Sequence, residues 1–206
     1  MQPSELKIYN FWVNIRNLVF KPLNLLLTKL GVSADMVSYL GVLVMIIFMF
    51  IVESHPITAF WLLFARMLID ILDGPLARYQ KTDSDRGKFV DVLMDNLGFA
   101  LFIFGVIKAG VLDGSIGASY LFLTELMIVL MIIRYNFKYR SEWFFRASAG
   151  SFPYNLVYAS YVLFAIYAFG GGNYLNGAAQ IFSAALVLRI ITDYWIIQKA
   201  KPSLKR

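Results

Sequence analysis

The 206-residue chain has no cysteine and a single histidine, His55. Disulfides are therefore excluded, and zinc sites of the thiolate or imidazole type are excluded or nearly so. Charge is scarce as well. Asp, Glu, Lys and Arg make up 16% of the residues, against roughly 25% in a soluble domain. No internal repeat or low-complexity tract is visible, and no linker is long enough to separate a second domain. What fills the space is apolar: 59% of the residues are hydrophobic, which marks an integral membrane protein. Phe, Tyr and Trp are abundant, as expected where rings sit at lipid interfaces. The net charge of +6 does not indicate a nucleic-acid partner, because the basic residues sort by membrane side.

Six apolar runs, at about 36–53, 57–79, 87–109, 116–137, 152–170 and 176–197, each approach the ~20 residues needed to cross hydrocarbon. The expected fold is all-α, with six transmembrane helices. Alternating connections put the N-terminal segment on one side, together with Lys81, Arg86, Lys88, Lys138, Arg140, Arg146 and the tail Lys199, Lys201, Lys205 and Arg206. The opposite side carries only Lys108. The positive-inside rule then places both termini in the cytoplasm, in a plasma (inner) membrane. Residues 5–30 mix apolar residues with Lys7, Arg16, Lys21 and Lys29 and read as an amphipathic helix on the membrane surface. Pro22 should bend or split it. The expected layout is one domain over 1–206, with a juxtamembrane segment 1–33, a membrane core 36–197 and a basic tail 198–206. The GGGN at 170–173 signals a turn.

One stretch, DILDGPLARYQKTDSDRGKFVDVLMD at 70–95, does not suit a lipid-facing segment. Asp70 and Asp73 are three apart and Asp91 and Asp95 four apart, spacings that share a helix face. Two facing helices could bring four carboxylates to one point. Each costs roughly 2.5–3.5 kcal/mol at the bilayer centre, and a divalent cation is the natural offset. All-carboxylate ligation suits the hard ions Mg²⁺ and Mn²⁺, and four carboxylates suggest two of them. Gly74, Ala77 and Gly87 are small enough to admit a ligand, and Arg78 carries a fork suited to phosphate oxygens.

The pattern Asp70-x2-Asp73-Gly74-x2-Ala77-Arg78-x8-Gly87-x3-Asp91-x3-Asp95 resembles, without gap or substitution, the signature of the CDP-alcohol phosphotransferase (phosphatidyltransferase) family. The resemblance implies transfer of a phospho-alcohol from a CDP-activated lipid donor to an acceptor hydroxyl, with release of CMP. It implies that Asp70, Asp73 and Asp91 are metal ligands and that Asp95 is ligand, general base or both. It implies diphosphate and nucleotide contacts at Arg78, Gly74, Ala77, Ser84 and Gly87, and a homodimer. Ala34-Asp35 stands where the family usually has Pro-Asn. Pro75, inside the motif, should kink the second span. Family members with phosphorylated acceptors carry basic residues near the region of Arg134, Lys138, Arg140 and Arg146, so these are candidates for an acceptor pocket. Val92 and Asn96 stand where glycerophosphate-using members commonly carry Pro and Lys, which points away from that acceptor.

Among the remaining intramembrane charges, Arg66 lies four before Asp70 and is expected to partner it, and Arg189 should pair with Asp193. Glu125 has no assigned role. Two rival readings of the acids are a membrane prenyltransferase, whose usual Asn-Asp-x2-Asp motifs are absent, and a non-enzymatic divalent-cation transporter.

Overall fold

The computed structural model describes residues 11, 15–136 and 152–199, with side chains except at 132–136, 196 and 199. Helix is the only regular secondary structure among the described residues, which contain no strand. A short helix, α1 (Lys21–Lys29), precedes α2 (Ala34–Ile51), α3 (Pro56–Gln80), α4 (Asp85–Lys108), α5 (Gly114–Asn136), α6 (Phe152–Ala168) and α7 (Leu175–Lys199). The six long helices fall within a few residues of the six apolar runs. Four of them are long and apolar enough to cross a membrane: α2, α4, the Gly114–Met131 part of α5 and the Leu175–Trp195 part of α7. The apolar α6 has only 17 residues. α3 has 25, but Arg66, Asp70, Asp73 and Arg78 lower its hydropathy. Large apolar side chains such as Leu43, Phe50, Trp61, Phe104, Phe122 and Leu188 point outward, as a lipid-facing surface requires.

The helix ends explain why the boundaries fall where they do. Ser33, Ser84 and Asp113 accept hydrogen bonds from first-turn amides of α2, α4 and α5, the usual role of such residues at N-termini. After α6 the Gly171 amide reaches the Ile166 carbonyl and the Gly170 amide the Tyr167 carbonyl, with Gly170 at φ +85°. This paired closure favours glycine at the left-handed position. The same closure ends α3, where the Thr82 amide bonds the Ala77 carbonyl and the Lys81 amide the Arg78 carbonyl. There the left-handed position is held by Lys81, at φ 56°. Pro22 sits in the first turn of α1, and the helical turns at 15–19 give way at Phe20, so the expected split occurs. Pro75 lies inside a continuous α3, and its missing N–H leaves the Ile71 carbonyl without its helical donor.

The chain divides into two compact units, Met1–Phe50 with Trp61–Phe102, and Ile51–Phe60 with Ile103–Arg206. In the first, Met45, Phe48, Leu63, Leu76 and Phe102 are fully or almost fully buried, with Phe48 and Phe102 ring centroids 5.7 Å apart. In the second, α5 packs chiefly against α7. Its interior holds Tyr120, Met127, Phe164 and Leu186. Ser160 donates to the Leu156 carbonyl, which leaves its oxygen to accept from the Tyr120 hydroxyl at 3.1 Å. The 170–173 turn is held by the Asn173 side chain, which donates to the Val111 carbonyl at 2.7 Å.

Two outcomes are expected. Lys81→Gly should raise the thermal midpoint in detergent, because a non-glycine residue in the left-handed region costs about 1–2 kcal/mol. Asp113 accepts from the Ser115 hydroxyl and amide and from the Ile116 amide. These bonds, the hydroxyl's first, hold its carboxyl below the usual 3.8. A depressed carboxyl stabilises the fold above its unfolded value and loses that contribution as pH falls through the folded value. Asp113→Ala should therefore lower the midpoint at pH 7, and melting curves should show the deficit vanish well below pH 3.8.

Candidate functional site

α3 and α4 form a hairpin closed by the turn at 81–84. The facing sides of the pair carry the four aspartates. One oxygen each from Asp70, Asp91 and Asp95 lies within 4.8 Å of the others. Asp73 also faces Asp91, close enough to interact. Its oxygens also accept two hydrogen bonds. Oδ2 accepts from the Ser38 hydroxyl of α2 at 2.9 Å, and Oδ1 from the Gly74 amide at 2.6 Å. The structure thus brings oxygens of Asp70, Asp91 and Asp95 together within 4.8 Å, and Asp73 lies beside Asp91 while also bonded to Ser38 of α2.

Arg66 reaches the deeper pair. Its Nη1 donates to Asp70 Oδ1 at 3.1 Å, and its Nη2 donates to Asp95 Oδ1. The side chain is 10% exposed. The expected Arg66–Asp70 pairing is present, and the bridge across to Asp95 adds to it.

A cavity of about 390 Å³ opens beside the aspartates, within the range of small-molecule sites. Asp73, Gly74, Ala77, Ser84, Gly87 and Asp91 line it, and Ser38, Asp35, Arg86 and Lys88 complete much of its wall. Arg86 pairs with Asp35 at 3.2 Å. Asp70, Asp95 and Arg78 are not among its lining residues. The Arg78 guanidinium instead folds back beside Gly74, where a Cβ would stand 3.4 Å from its Nη1. Its Nε donates to Asn17 Oδ1 at 3.2 Å. Gln80 ties the end of α3 to Thr28 and to the Val32 carbonyl. Ser84 caps α4 through the Gly87 amide at 3.1 Å while lining the cavity.

Ser38, Asn17 and the Asp35–Arg86 pair escaped the sequence reading as parts of the site. Ser38 did carry a signal, as the one serine or threonine within the apolar α2. Asn17 carried none. Arg189 pairs with Asp193 at 3.3 Å as expected, and Glu125 is partly buried in α5. The side chain of Arg134, and all of Lys138, Arg140 and Arg146, lie outside the described residues.

Fold and site together define a multi-pass helical membrane protein with a carboxylate cluster beside a small-molecule cavity. A sequence model of the CDP-alcohol phosphatidyltransferase family matches residues 32–195, and the chain belongs to that family. No curated protein sequence matches the chain. Membership makes it a transferase of phosphate-containing groups in phospholipid biosynthesis, acting in a membrane on a CDP-alcohol and an alcohol acceptor. The family is generally dependent on divalent metal, and the Asp70, Asp91 and Asp95 cluster could hold such an ion.

Ser38→Ala should leave the Asp73 carboxyl short of a buried partner, at a cost of about 1–3 kcal/mol. A lower thermal midpoint of the purified protein in detergent would register it.

Proposed function

We propose that the chain joins a CDP-activated lipid, CDP-diacylglycerol or its archaeal ether equivalent, to the hydroxyl of a polar alcohol and releases CMP. The observation that carries the reading is the convergence of Asp70, Asp91 and Asp95 from two helices at the edge of a cavity lined by the motif's own small residues. Three carboxylate oxygens at that spacing, in a chain without cysteine, fit a hard cation. Asp70, Asp91 and Asp95 would hold Mg²⁺ or Mn²⁺, and Asp73, once released from Ser38, would help seat a second ion. When bound, such ions offset charge on the diphosphate and on the departing CMP.

The remaining roles belong to the chain. Gly74, Ala77 and Gly87 leave room for the nucleotide, and Ser84 offers it a hydroxyl. Arg78, steadied by Asn17, can turn its fork onto the diphosphate. Asp95 takes the proton of the acceptor hydroxyl as that oxygen attacks the lipid-side phosphorus. The bond from that phosphorus to the bridging oxygen breaks, and CMP leaves with the electron pair. The basic residues Arg134, Lys138, Arg140 and Arg146 are proposed to hold a phosphorylated acceptor such as inositol phosphate.

All six long helices are proposed to span the inner membrane, with α1 on its surface, both termini and the site facing the cytoplasm, and the chain 1–206 acting as one catalytic domain in a homodimer. Cytoplasmic orientation supports the chemistry, since soluble acceptors and nucleotide then meet the lipid at the same leaflet.

The test is CMP release from labelled CDP-diacylglycerol in liposomes, with inositol phosphate, glycerol phosphate, serine and inositol offered in turn. One acceptor should support release, EDTA should abolish it, and Asp95→Asn should slow it about 10²–10⁴-fold. Release unaffected by both EDTA and Asp95→Asn would overturn the assignment.

A further inference from the structure

Arg66 occupies a slot that three helices have cleared for it. A Cβ at Gly41 of α2 would stand 3.0 Å from Arg66 Cδ and 3.1 Å from Nε, and one at Gly98 of α4 would stand 3.3 Å from Nε. The stem therefore lies between two glycines, and its direction is fixed by backbone on both sides. Its two terminal nitrogens go to carboxylates on different helices, Asp70 on α3 and Asp95 on α4. Its Nε is buried and has no hydrogen-bond partner. An unsatisfied buried donor is destabilising, so the guanidinium is held where the carboxylates need it rather than where it would be best satisfied itself. Asp70 and Asp95 are also two of the three residues whose oxygens converge within 4.8 Å.

We propose that Arg66 is a resident counter-cation that shares the Asp70–Asp95 pair with the metal, and so keeps Asp95 from becoming a full-time metal ligand. This rests on the reading that Asp70, Asp91 and Asp95 hold the ion. An ionised carboxylate has about four lone-pair sites, so one guanidinium bond to each does not exhaust its capacity to ligate. Without the metal, Arg66 offsets the repulsion that two neighbouring carboxylates would otherwise exert in a low-dielectric setting. With the metal, it weakens the pull of Asp70 and Asp95 on the ion, because two cations then divide the same two anions. Arg66 is thus a positioning residue. Its effect on metal affinity has the opposite sign from that of an ordinary structural residue, whose loss would loosen the site.

The experiment measures Mn²⁺ binding to the purified full chain in detergent, by titration of the free-ion resonance, beside thermal midpoints in EDTA and in saturating Mn²⁺. For Arg66→Met, the Mn²⁺ half-saturation should fall about tenfold while CMP release slows at least tenfold. Its midpoint in EDTA should lie below that of the unsubstituted chain and recover when Mn²⁺ is added. Mn²⁺ binding that is unchanged or weaker in Arg66→Met overturns the proposal. Should that variant fail to fold even with Mn²⁺, Arg66→Lys decides. A lysine keeps the charge but cannot bridge both carboxylates as a fork does, so binding should tighten about threefold, and unchanged or weaker binding overturns the proposal. A failure of the underlying metal reading has a separate signature, since the unsubstituted chain would then bind no Mn²⁺.

Discussion

Four carboxyl groups gathered between two apolar helices repel one another and are poorly solvated, and the first unit of this chain is arranged around that constraint. Charges in a low-dielectric interior must be paired, hydrogen-bonded or neutralised. Each aspartate here has an answer of that kind. Asp70 and Asp95 meet Arg66, Asp73 meets Ser38 and the Gly74 amide, and Asp91 completes the triad that could hold an ion. Gly41 and Gly98, unremarkable in an apolar span, become necessary once Arg66 must pass between α2 and α4. α2 thus contributes a hydroxyl and a gap, without contributing an acid to the cluster.

The spacing of the motif follows from the hairpin. In an antiparallel pair, residues equally far from the turn face each other, and each residue adds about 1.5 Å along the axis. With the turn centred near residues 82–83, Asp73 and Asp91 lie at nearly the same level, as do Asp70 and Asp95. The two acid pairs therefore form two tiers, about 5 Å apart along the helices. The turn fixes this register, which is why its closure matters even though it carries none of the four clustered aspartates. Lys81 tolerates a left-handed backbone there so that the Ala77 and Arg78 carbonyls are satisfied before α4 begins.

How far the sequence could be read depended on whether a feature was local. Helix positions were legible because apolar runs and the glycine-rich turn at 170–173 are near-neighbour signals. α3 was legible as a helix, although its four charges lower its hydropathy. The convergence of the acids was legible from periodicity, as was the Arg66–Asp70 pair at one helical turn. The diversion of Asp73 to Ser38, 35 residues away, and of Arg78 to Asn17, 61 residues away, was not. Those contacts depend on how α2 and the N-terminal segment pack against α3, which no local pattern specifies. The same limit hid the second arm of Arg66, since its reach to Asp95 requires the register of the hairpin.

The two tiers are unequal in their access to the cavity. Asp73 and Asp91, nearer the turn, line it, whereas Asp70 and Asp95 do not and are bridged by Arg66. A nucleotide entering beside the turn would meet glycine and serine first and the upper acids next. On the proposed reading, its diphosphate would come to lie beside the oxygens of Asp70, Asp91 and Asp95, which converge from both helices. Exposure does not follow the order of the tiers, since Asp73 is 9% exposed as a residue while the Asp70 and Asp95 side chains are 21% and 26% exposed. On the same reading, a donor seated in the cavity would stand between Asp95 and bulk water, which would favour transfer to an alcohol over hydrolysis. An arginine held at the bottom of such a site suits the arrangement, because its charge persists at any physiological pH.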